Sequence, residues 1–404
     1  MHAATAIVQK IVRPVSAQLD IRNIRNVVLA VQALVSGRRL ILMELARHWP
    51  GAERVLGPLK RLDRLLGNRH VQAARERFYA VAAAWLVRSQ QPVLIVDWSE
   101  LKQDRRWLLL RAGVAMGGRT MTVYEEVHSR AKSGKRTVHR AFLRRLHALL
   151  PPTVRPIVIT DAEFKNPWFK ALETLGWHWV GRVRQRTRVR LLAQAESAWI
   201  PGKVLHAQAS SKACSLGEAL LARSNPLPCR LVLVHRTPRG RVHLTRCGKR
   251  SRNTTSRTIA ERAKEPWLLA ASCSLNDWSA ADVVGFYAKR MQIEQSFRDL
   301  KSHRYGCAFD DTLTRSAKRL EMLLLIHMLA ALAAWLVGLA ATAQAYARVT
   351  TASLRKRYSL LWVGWACLRH GAAQQITLAL PASPPPVQTM SNSVIQPLVQ
   401  LGCA

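Results

Sequence analysis

Apolar residues follow helical spacing from the start of the chain to about residue 88. Val27 to Leu34 and Leu40 to Ala46 form two apolar runs parted by Ser36-Gly37, which predicts a helix, a turn and a second helix. A third, basic element, Lys60-Arg61-Leu62-Asp63-Arg64-Leu65-Leu66, should stop at Gly67-Asn68-Arg69-His70. Its cations read either as a DNA-facing row or as a solvated charged face. The period then changes. Val93-Leu94-Ile95-Val96 reads as a buried strand running into Asp97, and Trp107 to Val114 and Thr120 to Val127 flank Gly117-Gly118 as a hairpin. A basic helix near Val138 to Leu150 leads to Pro156-Ile157-Val158-Ile159-Thr160, a strand running into Asp161. A helix from Pro167 to Leu175 and a strand from His178 to Val183 follow.

Strand, strand, strand, helix, strand, helix, strand is the order of a ribonuclease-H-like α/β core. From about 186 to 266 basic and turn residues dominate, with strands expected at Leu231 to His235 and Arg241 to Leu244, so this stretch reads as a β-rich insertion. Apolar, helical character is expected to resume at Trp267-Leu268-Leu269-Ala270, and Ala281 to Lys301 is predicted as one helix. Met322 to Ala341 carries no formal charge and is long enough to span a bilayer, but a helix buried in a large protein has the same composition. His327 within it and the want of a second such segment favour burial. A basic helical stretch near 353 to 369 and a loose Pro-rich tail at 381 to 386 close the chain. The predicted organisation is a helical DNA-binding region at 1–88, a catalytic core in two parts at 89–185 and 267–310, the β-rich insertion at 186–266, and a helical C-terminal region at 311–404 suited to dimerisation.

Charge narrows the class. Of 404 residues, 62 are Lys or Arg and 24 are Asp or Glu, a net charge of +38, and the cations are spread along the whole length. Such a surface calls for a polyanion, with strongly salt-dependent binding. The seven cysteines form no Cys-x-x-Cys pair, which predicts free thiols in a reducing cytosol rather than a zinc or disulfide framework. The first residues lack a basic start followed by a long apolar run, so no secretory signal is expected.

Against so many cations, a few carboxylates stand out. Asp97 and Asp161 each follow an apolar strand, where open α/β sheets place their ligand sites. Taken alone, either reads as a turn or helix cap as readily as a ligand. Tyr287, Arg290, Glu294, Arg298 and Lys301 fall on one helical stripe beside an apolar stripe of Ile293, Phe297 and Leu300. That face presents a glutamate among cations, or else is an ion-paired exposed face. Two aspartates and a glutamate are hard oxygen ligands sufficient for a pair of Mg2+ ions, which Mn2+ would also fit, and such pairs serve phosphodiester chemistry.

Tyr287-x2-Arg290-x3-Glu294-x6-Lys301 resembles the Tyr-Arg-Glu-Lys signature of bacterial insertion-sequence transposases, the insertion sequence family four. The resemblance runs from Arg61-Leu62-Asp63-Arg64-Leu65-Leu66-Gly67-Asn68 through Val96-Asp97-Trp98-Ser99, Asp161-Ala162-Glu163-Phe164 and Lys264-Glu265-Pro266-Trp267 to the apolar helix, roughly residues 20 to 345. It implies that Asp97, Asp161 and Glu294 are the acidic triad, that Tyr287, Arg290 and Lys301 contact phosphates, and that Trp267 stacks on a base flipped from the DNA end. Trp267 alone also reads as a core tryptophan on a strand returning to the sheet. Arg298, on the stripe, and Arg182 and Arg184, after the second aspartate, are further DNA-facing candidates, the last two equally readable as solvated. The family implies partners too: terminal inverted repeats bound through residues 1–88, a target duplex, and a second copy of the chain on paired ends, in the bacterial cytoplasm with the nucleoid and without a membrane. Two rivals remain at this point, a basic DNA-binding protein without catalysis and a single-span membrane protein.

Overall fold

A computed structural model of the chain describes residues 3–193, 198–237, 264–343 and 358–369, with isolated positions at 252–254, 258, 261 and 387. The chain divides into two compact units, one made of Met1–Pro156 and Met291–Ala404, the other of Ile157–Arg290.

The first unit opens with α1 (Ala3–Val12), α2 (Ile21–Gly37), α3 (Leu42–Arg47), α4 (Leu56–Gly67), α5 (Arg69–Ala73) and α6 (Arg75–Leu86). Asp20 starts α2 by accepting a hydrogen bond from the Arg22 amide at 2.7 Å, which satisfies one of the donors a helix start leaves free. Asn68 ends α4 and begins α5, its side chain accepting from the amides of His70 and Val71. Val27, Val28, Val31 and Leu34 then bury the inner stripe of α2. Three antiparallel strands follow, β1 (Val93–Glu100), β2 (Trp107–Ala115) and β3 (Thr120–Ser129), and β2 pairs with both neighbours. After them, α7 (Arg136–Leu149) lays Phe142, Leu143 and Leu146 inward. Strand β1 runs on past the expected end at Val96, because Asp97 to Glu100 continue to pair with Arg111 to Leu108. Asp97 therefore sits within the strand.

The second unit begins with β4 (Ile157–Thr160), α8 (Asn166–Thr174) and β5 (His178–Arg182), a parallel crossover. Gly181 of β5 has no room for a Cβ, since the Phe169 ring of α8 lies 2.5 Å from where it would be. Antiparallel strands β6 (Arg188–Leu191), β7 (Ile200–Pro201), β8 (Cys214–Leu221), β9 (Leu227–Val234) and β10 (Trp267–Ala271) extend the sheet in the order β4-β5-β10-β9-β8-β6-β7. Two expectations change here. Trp267 to Ala270, expected to be helical, is strand, because β10 finds backbone partners on both sides, β5 and β9; a short apolar run does not reveal its own period. The strand expected at 241–244 lies outside the described residues.

Ser279 and Asp282 cap α9 (Ala280–Ala288) reciprocally and close the second unit's sequence. The first unit resumes at α10 (Met291–Lys301). The single helix expected from Ala281 to Lys301 is thus two. Lys289 and Arg290 bond back to Phe286 and Tyr287, three residues away, a tightening that ends α9 before α10 begins. Then come α11 (Ala317–Ala343) and α12 (Leu360–Arg369). Among the described residues α11 is the one helix long and apolar enough to cross a membrane, and α2, α12 and β3 pack around it. At Gly338 and Gly364 the backbones of α11 and α12 touch: a Cβ on either would collide with a carbonyl oxygen of the other helix, that of Leu360 or of Ala334. The Pro-rich stretch at 381–386 and most of the basic stretch from 353 lie outside the described residues. Cys214, Cys229, Cys273, Cys307 and Cys367 are free thiols.

Candidate active site

Two of the candidate carboxylates belong to the first unit. Asp97, half-buried on β1, accepts from the Trp98 amide at 2.8 Å through Oδ1. It faces Arg111 across β2, and Arg111 faces Glu125 across β3. Residues directly opposite on antiparallel strands share a face, so Asp97, Arg111 and Glu125 form one charged row. Arg111 and Glu125 are 1% and 0% exposed and their ion pair spans 2.7 Å. Glu125 also accepts from the Tyr79 hydroxyl at 2.9 Å, and its backbone carbonyl accepts from Arg75 at 2.7 Å. The Phe297 ring of α10 lies 5.2 Å from the Arg111 guanidinium.

Glu294 is held by α10, and α10 by polar bonds at both ends. Gln292 accepts from the Met116 amide at 3.1 Å, Ser296 from the Thr120 amide at 2.8 Å, and Asp299 from Arg119 at 2.5 Å, one stripe against the β2–β3 hairpin. Lys301 donates to the Ser99 hydroxyl at 2.9 Å and the Glu100 carbonyl at 3.0 Å, gripping β1 just beyond Asp97. Glu294 and Lys301 are seven residues apart and so share a side of the helix. Burial pulls the Lys301 ammonium below its ordinary value, with Asp310, Glu100 and Asp97 pulling it back up and Arg111 adding to the fall. Arg298 lies over the Tyr305 ring at 4.9 Å.

On the other face of β1 and β3, Trp98 donates to His139 at 3.1 Å, and Glu126 is contacted by His128 at 2.7 Å, Tyr124 at 2.8 Å and Arg145 at 2.6 Å. Burial raises Glu126, but the bonds from His128 and Tyr124 and the charge of Arg145 outweigh it and hold the carboxyl below the usual range. These buried polar residues were not singled out from the sequence. Their signal was available: Arg111, Glu125 and Glu126 interrupt otherwise apolar strands, and a charge inside a buried strand needs a partner.

The second unit carries Asp161 and the remaining candidates. Asp161 stands directly after β4, half-buried, and its Oδ1 accepts from the Glu163 amide at 2.8 Å, fixing the turn into α8. Burial, then the Asp161 charge, raises the Glu163 carboxyl, while the charges of Arg184 and Lys165 pull it down. Arg182 is opposite Leu269 on β10, so it shares a face with Trp267 two residues on. Trp267 is half-buried, with Tyr287 edge-on at 5.0 Å and Arg236 over its ring at 4.9 Å. Arg290 lies in the turn after α9. The sequence stripe of five is therefore split: Tyr287 and Arg290 belong to this unit, and Glu294, Arg298 and Lys301 to the other.

The donor chemistry of Asp97, Asp161 and Glu294, half-exposed carboxylates, suits a hard divalent ion. Among the described residues, no three His, Cys, Asp or Glu side chains lie close enough together to hold one.

Carboxylates on a strand, a strand end and a helix, in a mixed α/β chain with a large excess of cations, suit an enzyme that works on nucleic-acid backbones. Residues 88–332 match the family described as transposase DDE domain. The match covers more than half of the 404 residues, and the chain belongs to the DDE transposase family, metal-dependent enzymes of DNA transposition. Among curated proteins none matches the chain.

Proposed function

We propose that the protein is a cut-and-paste transposase of the insertion sequence family four, with a ribonuclease-H-like core and Asp97, Asp161 and Glu294 as its acidic triad. On this reading it resembles the transposase of the tetracycline-resistance composite transposon. The observation that carries the reading is that all three acids fall inside the matched stretch, 88–332, each on a regular element or at its end. Bound there, two divalent ions, Mg2+ or Mn2+, would activate an attacking hydroxyl and stabilise the leaving oxygen of a phosphodiester. The chain's own residues do the rest. Asp97 and Asp161 are oriented by the backbone amides they accept from, and Lys301 and Phe297 fix α10 so that Glu294 keeps its place.

In this reading residues 1–88 bind the terminal inverted repeats, and Tyr287, Arg290, Arg298, Lys301, Arg182 and Arg184 approach DNA phosphates. Trp267 offers an aromatic surface to a flipped base, two copies act on paired ends in the bacterial cytoplasm, and a hairpin precedes joining. The test is cleavage of a labelled duplex carrying the element's own terminal repeat, with Mg2+, by the natural chain and by Glu294→Gln and Asp97→Asn. Nicking by the natural chain alone, with repeat binding kept in all three, is the expected result. Binding without cutting by any of them would make the protein a DNA-binding relic instead.

A further inference from the structure

Helix α7 carries charge that folding does not use. No acidic residue lies between Glu126 and Asp161. Across this stretch Arg136, Arg140 and Arg144 line up at four-residue steps on the exposed side of α7, and Lys132 and Lys135 are exposed in the turn ahead of it. None of the five has a carboxylate partner among the described residues; on α7 itself Arg145, on the flank, pairs with Glu126 and Glu76, and ahead of the helix Arg130 pairs with Glu100. Like charges four apart on a helix repel by a few tenths of a kcal/mol each. The first turn has no acid to meet the helix dipole, and Lys135 at the N-cap makes no side-chain cap bond. An ordinary solvated face mixes both signs; this one has a single sign, at a cost to the helix that a polyanion would relieve.

The opposite side of α7 is anchored. His139, Phe142, Leu143 and Leu146 are buried, and the Trp98–His139 bond fastens the helix behind β1 at the residue after Asp97. The arginines are thus presented on a rigid element rather than on a loose tail. They span about 12 Å of helix axis, the rise of three to four base pairs. The helix contains no Asn, Gln, Asp or Glu, so apart from its arginines it lacks the side chains that pair bidentately with base edges.

We propose that the α7 stripe, Arg136, Arg140 and Arg144 with Lys132 and Lys135, is a sequence-independent docking surface for double-stranded DNA, and that the duplex it holds is the target. This rests on the transposase reading, in which the ends are bound through residues 1–88 and the enzyme must also hold a second, target duplex. A surface of phosphate-seeking cations suits the second task.

The test uses the full chain with Arg136→Gln, Arg140→Gln and Arg144→Gln combined, Gln being a sound helix former. A charge-matched control combines Lys203→Gln, Lys212→Gln and Arg223→Gln, exposed residues of the other unit. Binding to an unrelated duplex is measured over a range of salt, along with joining of pre-cut repeat ends into a supercoiled plasmid and nicking at the repeat boundary. For the α7 variant the log–log salt slope should become shallower by about 2 to 3, and joining should fall at least about ten-fold while nicking stays within about two-fold. An unchanged slope and unchanged joining would overturn the proposal, as would an equal loss in the control, which would make net charge the cause. Nicking that falls together with joining would assign the stripe to the ends and overturn it too. If the natural chain does not nick the repeat at all, the transposase reading fails, and the salt slope on the unrelated duplex still decides whether α7 binds DNA.

Discussion

Arg111 stands directly across from Asp97 in the β1–β2 register and is bonded to Glu125, on its far side, at 2.7 Å. The candidate catalytic aspartate is thus one end of a row whose other two members are sealed from water. Removing one partner of a buried pair leaves the other charge uncompensated, at about 3–5 kcal/mol. Arg111→Met should therefore lower stability by roughly 3 kcal/mol, read as an earlier urea midpoint. Adding Glu125→Gln should recover part of the loss. A single variant as stable as the natural chain would mean that Arg75 and Tyr79 suffice for Glu125.

Acid should weaken the first unit through His327. Burial, and then the charge of Arg111, pushes this imidazole down to about 3 from an ordinary 6.5. Below about pH 6.5 the unfolded chain takes up a proton that the folded chain refuses until about pH 3. Stability is therefore full above 6.5 and falls as pH falls through that window, by up to about 1.4 kcal/mol per pH unit. His139, lowered to about 4 by burial and by His128, adds to the slope. Urea unfolding at about pH 7 and about pH 5 measures it, and His327→Leu should flatten the difference.

Gly364 has a steric role. A methyl group there meets the Ala334 carbonyl of α11, so Gly364→Ala must push α12 away, costing about 1–3 kcal/mol of overpacking. Gly57 of α4 is the internal contrast, because a Cβ there meets nothing within 4 Å. Gly57→Ala should raise the melting temperature slightly and Gly364→Ala lower it by several degrees.

Lys301 should behave as an anchor for α10. Lys301→Met removes both bonds to β1, worth roughly 2 kcal/mol together, and should speed amide exchange in α10 about thirty-fold. Exchange unchanged in α10, with weaker binding to the repeat duplex, would give the side chain to DNA alone.

Periodicity made the helices of the first 88 residues legible, because their apolar residues recur at 3.6, and the apolar runs on either side of Gly117-Gly118 did the same for the β2–β3 hairpin. It was less informative where runs are short. Trp267 to Ala271 fits either period, and only β5 and β9 decide that it is strand. Asp97 reads like the end of a strand, since polar residues follow, yet backbone pairing with β2 ignores side-chain polarity and carries β1 to Glu100. The five-residue stripe from Tyr287 to Lys301 assumes an unbroken helix, and nothing in the composition of Lys289-Arg290 warns of the turn. The Gly338–Gly364 contact joins two helices distant enough in sequence to leave no local trace.

Helix α11 also sets the order in which the protein can become a protein. Its neighbours α2 and β3 leave the ribosome some two to three hundred residues earlier; α1, α3 and α4 can pack on α2 before then, but the contacts of α2 and β3 with α11 cannot form until it emerges. A fragment that stopped short of Ala317 would keep the cations of the N-terminal helices but not the core that shapes them. Cells should therefore clear such fragments as unfolded chains before they could occupy DNA as rivals of the complete protein.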